Sequence, residues 1–403
     1  MLQRAAIRSG NRASCSSRAM LSSLLLAASL ALAGPAGAGG AKQDEAALQR
    51  AAEQLVADHL KSVGKRSRQQ FYAADRWDLS DLPEYRAERR LGGTIRIGKA
   101  KYLRLSSVME QWEAEFRKFH PEVVFEHSQH DLVTGLVDIV QQRGYTFAEW
   151  QQSQLVQGRY PLEIEMSTGA YDVPGYTPAF AIFVNKDNPV KGLSIDQLDG
   201  IFGGARTGGF NRHVWTTAPA RGRDKNIRTW DQLGLGGDWV GKEINVNGRP
   251  LKYHIQLYFE RKVFDGGSIW NENKREWAHQ LQEDGTRALS SVSMVGAVGA
   301  DRYGIVYADL NSNIPEVKYL PIAPRGSSDY VELTLDNVRE RRYPLFLENY
   351  LYVQQDKDGK VPPLVAEFLR YVLSRQGQQA IQNDGKWLPL TAKVVEEQLG
   401  KIE

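Results

Sequence analysis

Phe180-Ala-Ile-Phe-Val-Asn-Lys-Asp-Asn-Pro189, followed by Leu193-Ser-Ile-Asp-Gln-Leu-Asp-Gly-Ile-Phe-Gly-Gly204, is the stretch that decides the fold. Strand-forming residues run unbroken from Phe180 to Val184 and stop at an Asn/Asp/Pro turn, and a short amphipathic helix follows. A second passage of the same grammar lies near the C-terminus: Tyr343-Pro344-Leu345, then Leu351-Tyr352-Val353, then a helix over 364–373 leading to Gly377-Gln378.

Outward from these passages the chain alternates strand and helix. Thr94-Ile95-Arg96-Ile97 reads as a strand, Val108, Met109, Trp112, Phe116 and Phe119 fall at helical spacing, and His120-Pro121 stops that helix before Val123-Val124-Phe125. Further helices are predicted near 147–156, 195–202, 255–263 and 292–300, with strands at 162–166, 244–246, 304–307 and 317–322. Strand-helix-strand alternation argues α/β throughout, with parallel pairing. No tandem repeat of fixed period occurs.

The first residues stand apart. Arg4, Arg8, Arg12 and Arg18 precede an apolar run from Met20 to Ala33, and Gly34-Pro35-Ala36-Gly37-Ala38 follows. That is the pattern of a secretory signal over residues 1–38, with cleavage after Ala33 or Ala38 both consistent. The run is short for a bilayer span. The chain carries 51 basic and 48 acidic residues, net +3. Removal of four arginines leaves 47 against 48, so basicity gives no argument for nucleic acid. Cys15 is the only cysteine and lies ahead of the apolar run; the mature chain is expected to hold no disulfide and no cysteine-based metal site. Residues 41–63 read as a helix, and the stretch 39–90 as a helical extension and linker.

From Leu91 to Leu390 the order of motifs resembles that of phosphate-type periplasmic solute-binding proteins of ABC transporters. Trp112, Phe116 and His120-Pro121 are similar to that family's first helix, Thr134-Gly135-Leu136-Val137-Asp138 to its Gly-x-x-Asp turn, and Phe180–Pro189 to a hinge strand. Trp230-Asp231-Gln232-Leu233-Gly234, Asn247-Gly248-Arg249, Gly304-Ile305-Val306-Tyr307 and Tyr343-Pro344-Leu345 follow in order. The resemblance implies a two-lobe α/β fold of the type II, Venus-flytrap kind with two hinge crossings. Lobe 1 would be 91–178 with 350–403, and lobe 2 would be 179–349. It implies an anion bound between the lobes, a periplasmic location, and an ABC permease or a sensor as partner.

The family grips phosphate with a Gly-Ser-x-Thr turn, an Asp, and an Arg followed by Ser-Gly-Thr. Here the first turn falls on Lys101-Tyr102-Leu103-Arg104, with Ser106 just beyond. The family's next turn, a Gly-Thr or Ser-Gly at the following helix, looks deleted with that helix between Phe125 and Thr134. Arg249 matches the family Arg, but Tyr253-His254-Ile255 stand where its hydroxyls belong, and Asp138 holds the carboxylate position. In one reading Arg104, Ser106, Asp138, Arg143, Arg249 and Tyr253 line the cleft and bind phosphate or a related anion. In the other they are solvated or packing residues of a non-transport scaffold or sensor with a degraded site. Arg143 is expected at the surface, and Asp138 has the setting of a turn cap.

His127-x-x-His130-Asp131 lacks the i, i+4 spacing of a zinc helix and reads as a loop. The basic residues Arg221, Arg223, Lys225 and Arg228, and the run Arg339-Glu340-Arg341-Arg342, read as exposed segments. With no nucleophile elbow, phosphate-binding loop or dinucleotide fingerprint in the sequence, no enzyme and no cofactor is expected.

Overall fold

The computed structural model describes residues 69–98, 106–251, 253–281 and 287–402. The proposed signal, Cys15, the helix expected at 41–63 and Arg104 lie outside the described residues. The described part belongs to one compact unit, Gln69–Glu403.

Two five-stranded sheets organise it. The first holds β1 (Gly92–Gly98), β2 (Glu122–His127), β3 (Ile139–Gln142), β4 (Leu162–Thr168) and β10 (Glu348–Val353), in the order β2-β1-β3-β10-β4. The second holds β5 (Phe180–Asn185), β6 (Asn245–Gly248), β7 (Arg275–Glu276), β8 (Gly304–Asp309) and β9 (Val317–Tyr319), in the order β7-β6-β8-β5-β9. In each sheet parallel pairs meet one antiparallel insertion. β1 pairs β2 from Gly92↔Glu122 to Ile97↔His127, and β10 runs against β3 and β4. β8 lies parallel to β6 and antiparallel to β5.

All six residues of β5 are buried, as a continuous apolar run in a central strand requires. Helix α1 (Val108–Phe119) buries Val108, Met109, Trp112 and Phe116, and Trp112 Nε1 donates to Gly377 O at 2.8 Å. Helix α2 (Phe147–Gln157) opens with a Thr146/Glu149 capping box and ends at Gly158, whose φ of 68° is left-handed. Helix α3 (Ile195–Phe202) starts on the reciprocal pair Ser194/Gln197: Gln197 N donates to Ser194 Oγ at 3.2 Å and Ser194 N to Gln197 Oε1 at 2.9 Å. Helices α4 (Ile255–Val263), α5 (Ser290–Ala300), α6 (Leu335–Arg339), α7 (Pro363–Leu373), α8 (Arg375–Asp384) and α9 (Ala392–Leu399) complete the set. Among the described residues no helix is long and apolar enough to cross a membrane.

The chain passes between the sheets twice, at 169–179 and at 343–347. The strands read as hinge strands, β5 and β10, lie wholly inside the sheets that these passages join. Their side chains are buried on both faces, so they serve as sheet cores. The passages themselves are zipped together. Gly169 N donates to Leu347 O at 2.7 Å, Phe180 N to Leu345 O at 3.0 Å, and the Tyr343 hydroxyl to Phe180 O at 2.8 Å. Thr177 sits at φ 56°, a left-handed conformation costly for a β-branched residue, inside the first passage.

Several loop expectations are corrected. Residues 69–90 dock on the first sheet's helices: Trp77 N donates to Gln382 Oε1 at 2.8 Å, and Arg375 N to Pro83 O at 2.8 Å. Arg221 and Arg228 turn inward to the carbonyls at the end of α3, with Arg228 Nη1 2.8 Å from Gly200 O and Arg221 Nη2 3.0 Å from Gly204 O. Cations suit a helix C-terminus. Arg223 and Lys225 stay exposed. Arg339 is buried, and Arg341 reaches Glu165 Oε2 at 2.7 Å. His127 pairs with Glu113 at 2.6 Å, and no metal-holding cluster occurs among the described residues.

Candidate functional site

β6 ends at Gly248, and Arg249 follows with 7% of its surface exposed. Its backbone carbonyl is held twice, by Gln256 Nε2 at 2.7 Å and Lys274 Nζ at 3.0 Å. The guanidinium donates from Nε to Ser290 Oγ at 3.2 Å and lies over the Tyr307 ring, 5.8 Å from its centroid. Nη1 is buried without a hydrogen bond, and no ion pair to an acidic side chain is found among the described residues. A desolvated cation without a counter-charge is costly by several kcal/mol, of order 3–5 when a buried partner is missing. A group in that state gains from any negative charge brought beside it. Burial pushes the Tyr307 phenol well up from its ordinary value, against the opposing charge of Arg249.

Around Arg249 the starts of α4 and α5 are tied together. The Tyr253 hydroxyl accepts from His279 N at 3.0 Å, and His279 Nδ1 accepts from Ser290 N at 2.9 Å. The two rings meet edge to face at 4.8 Å. Arg249, Ser290, His279 and Tyr253 thus form one hydrogen-bonded unit.

The first sheet faces this unit with the entry of α2. Arg143 is half-buried, not at the surface as expected. Burial, and next the charge of Arg143, hold the His254 imidazole below its ordinary range; Glu149, whose Oε2 is 3.8 Å from His254 Nε2, pulls the other way. His254 Nδ1 is buried without a hydrogen bond. The Phe147 and Phe210 rings touch across the two halves, 4.2 Å between centroids. Behind them lies a chamber of about 350 Å³, walled by Tyr145 and Phe147 on one side and Phe210, Tyr253, His254 and Gln256 on the other.

Of the residues expected from sequence, Arg249 and Tyr253 share one unit through Ser290 and His279, and Arg143 lies near enough to His254 for its charge to act on that ring. Asp138 does not join them. Its carboxylate accepts from Arg96 N at 2.7 Å while its own N donates to Arg96 O at 2.8 Å, which pins the entry of β3 to β1. The carboxylate is spent on a cross-strand bond, not on a local turn. Between β2 and β3 stands only the single turn Leu132–Thr134, closed by Gly135 at φ 69°. Ser106 is buried ahead of α1, its Oγ accepting from Val108 N at 3.4 Å.

Sequence reasoning missed what serves α1. Ser107 N and Oγ donate to Asp384 Oδ1 at 2.7 and 2.9 Å, so the protein's own carboxylate takes these donors beside the helix start. It also missed Ser290, since a serine ahead of a small-residue helix carries no signal without the fold. His254, visible only as a residue replacing a hydroxyl, gains meaning from Arg143 opposite it.

A family model described as a PBP superfamily domain matches residues 154–376. The phosphate-binding protein PstS of Pseudomonas aeruginosa is 28% identical over 331 residues, covering 80% of this chain and 90% of that protein. PstS of Bacillus subtilis is 26% identical over 224 residues, 55% of this chain and 58% of that protein. Among solved structures, an ABC-type phosphate transport receptor from Vibrio cholerae is similar at 17% identity and a TM-score of 0.43, over 74% of this chain and 100% of that one.

Proposed function

Since the chain belongs to the PBP superfamily, with the domain match spanning residues 154–376, we propose that it is an exported solute-binding protein that takes phosphate or a related anion between its two sheets. The observation that carries this reading is Arg249, buried with Nη1 unpaired and no acidic partner among the described residues. An anion there gains charge-assisted bonds from the guanidinium and offsets its desolvation. Relatives from Pseudomonas and Bacillus carry the name phosphate-binding protein, which supports the choice of anion.

In this reading 91–178 with 350–403 moves as one lobe and 179–349 as the other, about the two passages. The protein works in the periplasm after loss of its signal and delivers the anion to an ABC permease or reports it to a sensor. It performs no chemistry on its ligand.

The test is thermal unfolding of refolded, ligand-free protein with phosphate, sulfate and organic phosphates in turn. At a ligand concentration a hundredfold above Kd the gain is about 2.7 kcal/mol. For a chain of about 365 residues (403 less the 38 of the proposed signal), at about 2.1 cal/mol/K of unfolding entropy per residue, that is a rise of roughly 3–4 °C. Arg249→Ala should abolish it. Asp384 favours a second reading, a non-transport scaffold or sensor, because its carboxylate takes donors at the start of α1. No shift with any anion would decide for that reading.

A further inference from the structure

A hairpin from the second sheet's half reaches across to the first. Its strands, Gly209–Asn211 and Val214–Thr216, pair from Gly209↔Thr216 to Asn211↔Val214, and Phe210 N donates to Gly266 O at 3.0 Å, just beyond α4. That root is slight. Asn211, Arg212, Val214 and Trp215 are exposed, and a two-stranded hairpin is by itself marginally stable at best. The contacts that hold its tip come from the other half. The His213 ring stacks on Tyr160, with centroids 3.5 Å apart and planes at 19°, and lies 5.4 Å from Trp150. Arg212 Nε donates to Glu163 Oε1 at 2.8 Å.

Arg212 makes that bond from φ 57°, in a two-residue turn where Asn and Gly are the usual occupants. An arginine in the left-handed region is strained, and this one stands where its guanidinium reaches a carboxylate of the opposite half. Glu163, on β4, is 5% exposed; its Oε2 also accepts from the Tyr352 hydroxyl at 2.6 Å and lies 3.9 Å from Arg261 Nη1. The same polarity repeats toward the two passages. Lys262 of α4 pairs with Glu348 at the start of β10, and Arg341 with Glu165 of β4 at 2.7 Å. β4 and β10 are neighbours, with Glu163 opposite Tyr352 and Glu165 opposite Tyr350. Four cations from 179–349 thus meet three carboxylates on two adjacent strands of the first sheet. Charges matched in this way fix one register between the surfaces that carry them.

We propose that the hairpin is a strap: Arg212 and His213, landing on Glu163 and Tyr160, hold the two halves closed before any solute binds. This rests on the two-lobe, solute-binding reading and adds how the cleft is controlled. Hinged lobes of that kind close around their ligand. Here side chains of the protein already supply the closure, and a solute enters only when the strap lets go.

A distance between two spin labels tests it in refolded, ligand-free protein. Cys15, the only cysteine, lies in the proposed signal. Val156→Cys and Val240→Cys, both at exposed positions, therefore give the mature chain one label on each half. Pulsed electron resonance should read a single narrow distance in the otherwise unchanged protein. Arg212→Gly with His213→Ala should lengthen it by several ångströms. Arg212→Glu, which sets like charge against Glu163, should lengthen it at least as far. Glycine adopts φ 57° freely and Arg212 is exposed, so the first variant keeps its fold, which circular dichroism checks. A broad distribution in the unchanged protein overturns the strap, as does a distance that no folded variant moves. No solute enters the measurement, so either failure leaves the anion reading to its own thermal-shift test.

Discussion

Lys386 Nζ lies 2.8 Å from Asp384 Oδ1, and both side chains are sealed from solvent. The same carboxylate receives Ser107 at the start of α1, so one buried ion pair fastens the loop after α8 to the helix after β1. Removing one member leaves the other buried and uncompensated. Lys386→Met is expected to cost about 3–5 kcal/mol, measured by urea unfolding, and Asp384→Asn a similar amount. The double variant should lose less than the sum of the two, because the remaining charge goes with its partner.

His120 supplies a pH dependence on the acid side. Leu91 N donates to its Nδ1 at 3.1 Å, so the neutral ring carries its proton on Nε2, 2.6 Å from the Tyr85 hydroxyl, which in turn donates to Glu367 at 2.7 Å. Burial holds the imidazole below its ordinary value near 6.5, against the pull of Glu367. A depressed base stabilises the fold above its unfolded pKa, and that stability is lost as pH falls through the folded value. Protonation also turns Nδ1 into a donor facing Leu91 N. Melting temperatures of His120→Gln should therefore fall less than those of the unchanged protein between pH 7 and pH 5. Equal slopes would remove His120 from the account.

How much of this was legible beforehand varied with sequence distance. β5 and α3 were readable residue by residue: an unbroken apolar run, an Asn/Asp/Pro turn and an amphipathic spacing state their structure locally. Arg249 and Tyr253 were readable through a motif. What the chain hid were pairings between remote segments. Asp384 looks like an ordinary polar loop residue until α1 is placed beside it, and Arg221 and Arg228 look solvated until the end of α3 is found to need cations. Asp138 held the family's position but not its role, since position in a motif does not fix where a carboxylate points.

Gly169 shows how tightly the two passages are set. A Cβ at that position would meet Thr177 O at 2.2 Å and Leu347 O at 3.0 Å, both backbone atoms without freedom to give way. Gly169→Ala should force the passages apart and cost about 1–3 kcal/mol or more. The hydrogen bond from Gly169 N to Leu347 O should open with it. Amide exchange at 169 and 180 that rises well above the global rate would report this local separation; unchanged protection there would refute it.

Glu260 gives the opposite pH dependence. Burial is the main cause of its raised pKa, from the ordinary 4.5 to about 7, while Trp270 and Lys274 oppose it. An acid with a raised folded pKa stabilises the protein fully below its unfolded value. That contribution disappears as pH rises from about 4.5 through about 7, because the buried group must then ionise. At 1.36 kcal/mol per unit the shift amounts to about 3 kcal/mol. Glu260→Gln keeps an acceptor for Trp270 Nε1 and removes the titration. The variant should match the unchanged protein at pH 5 and exceed it by about 2–3 kcal/mol at pH 8 in urea unfolding. A difference independent of pH would place the ionisable proton elsewhere and leave Glu260 charged throughout.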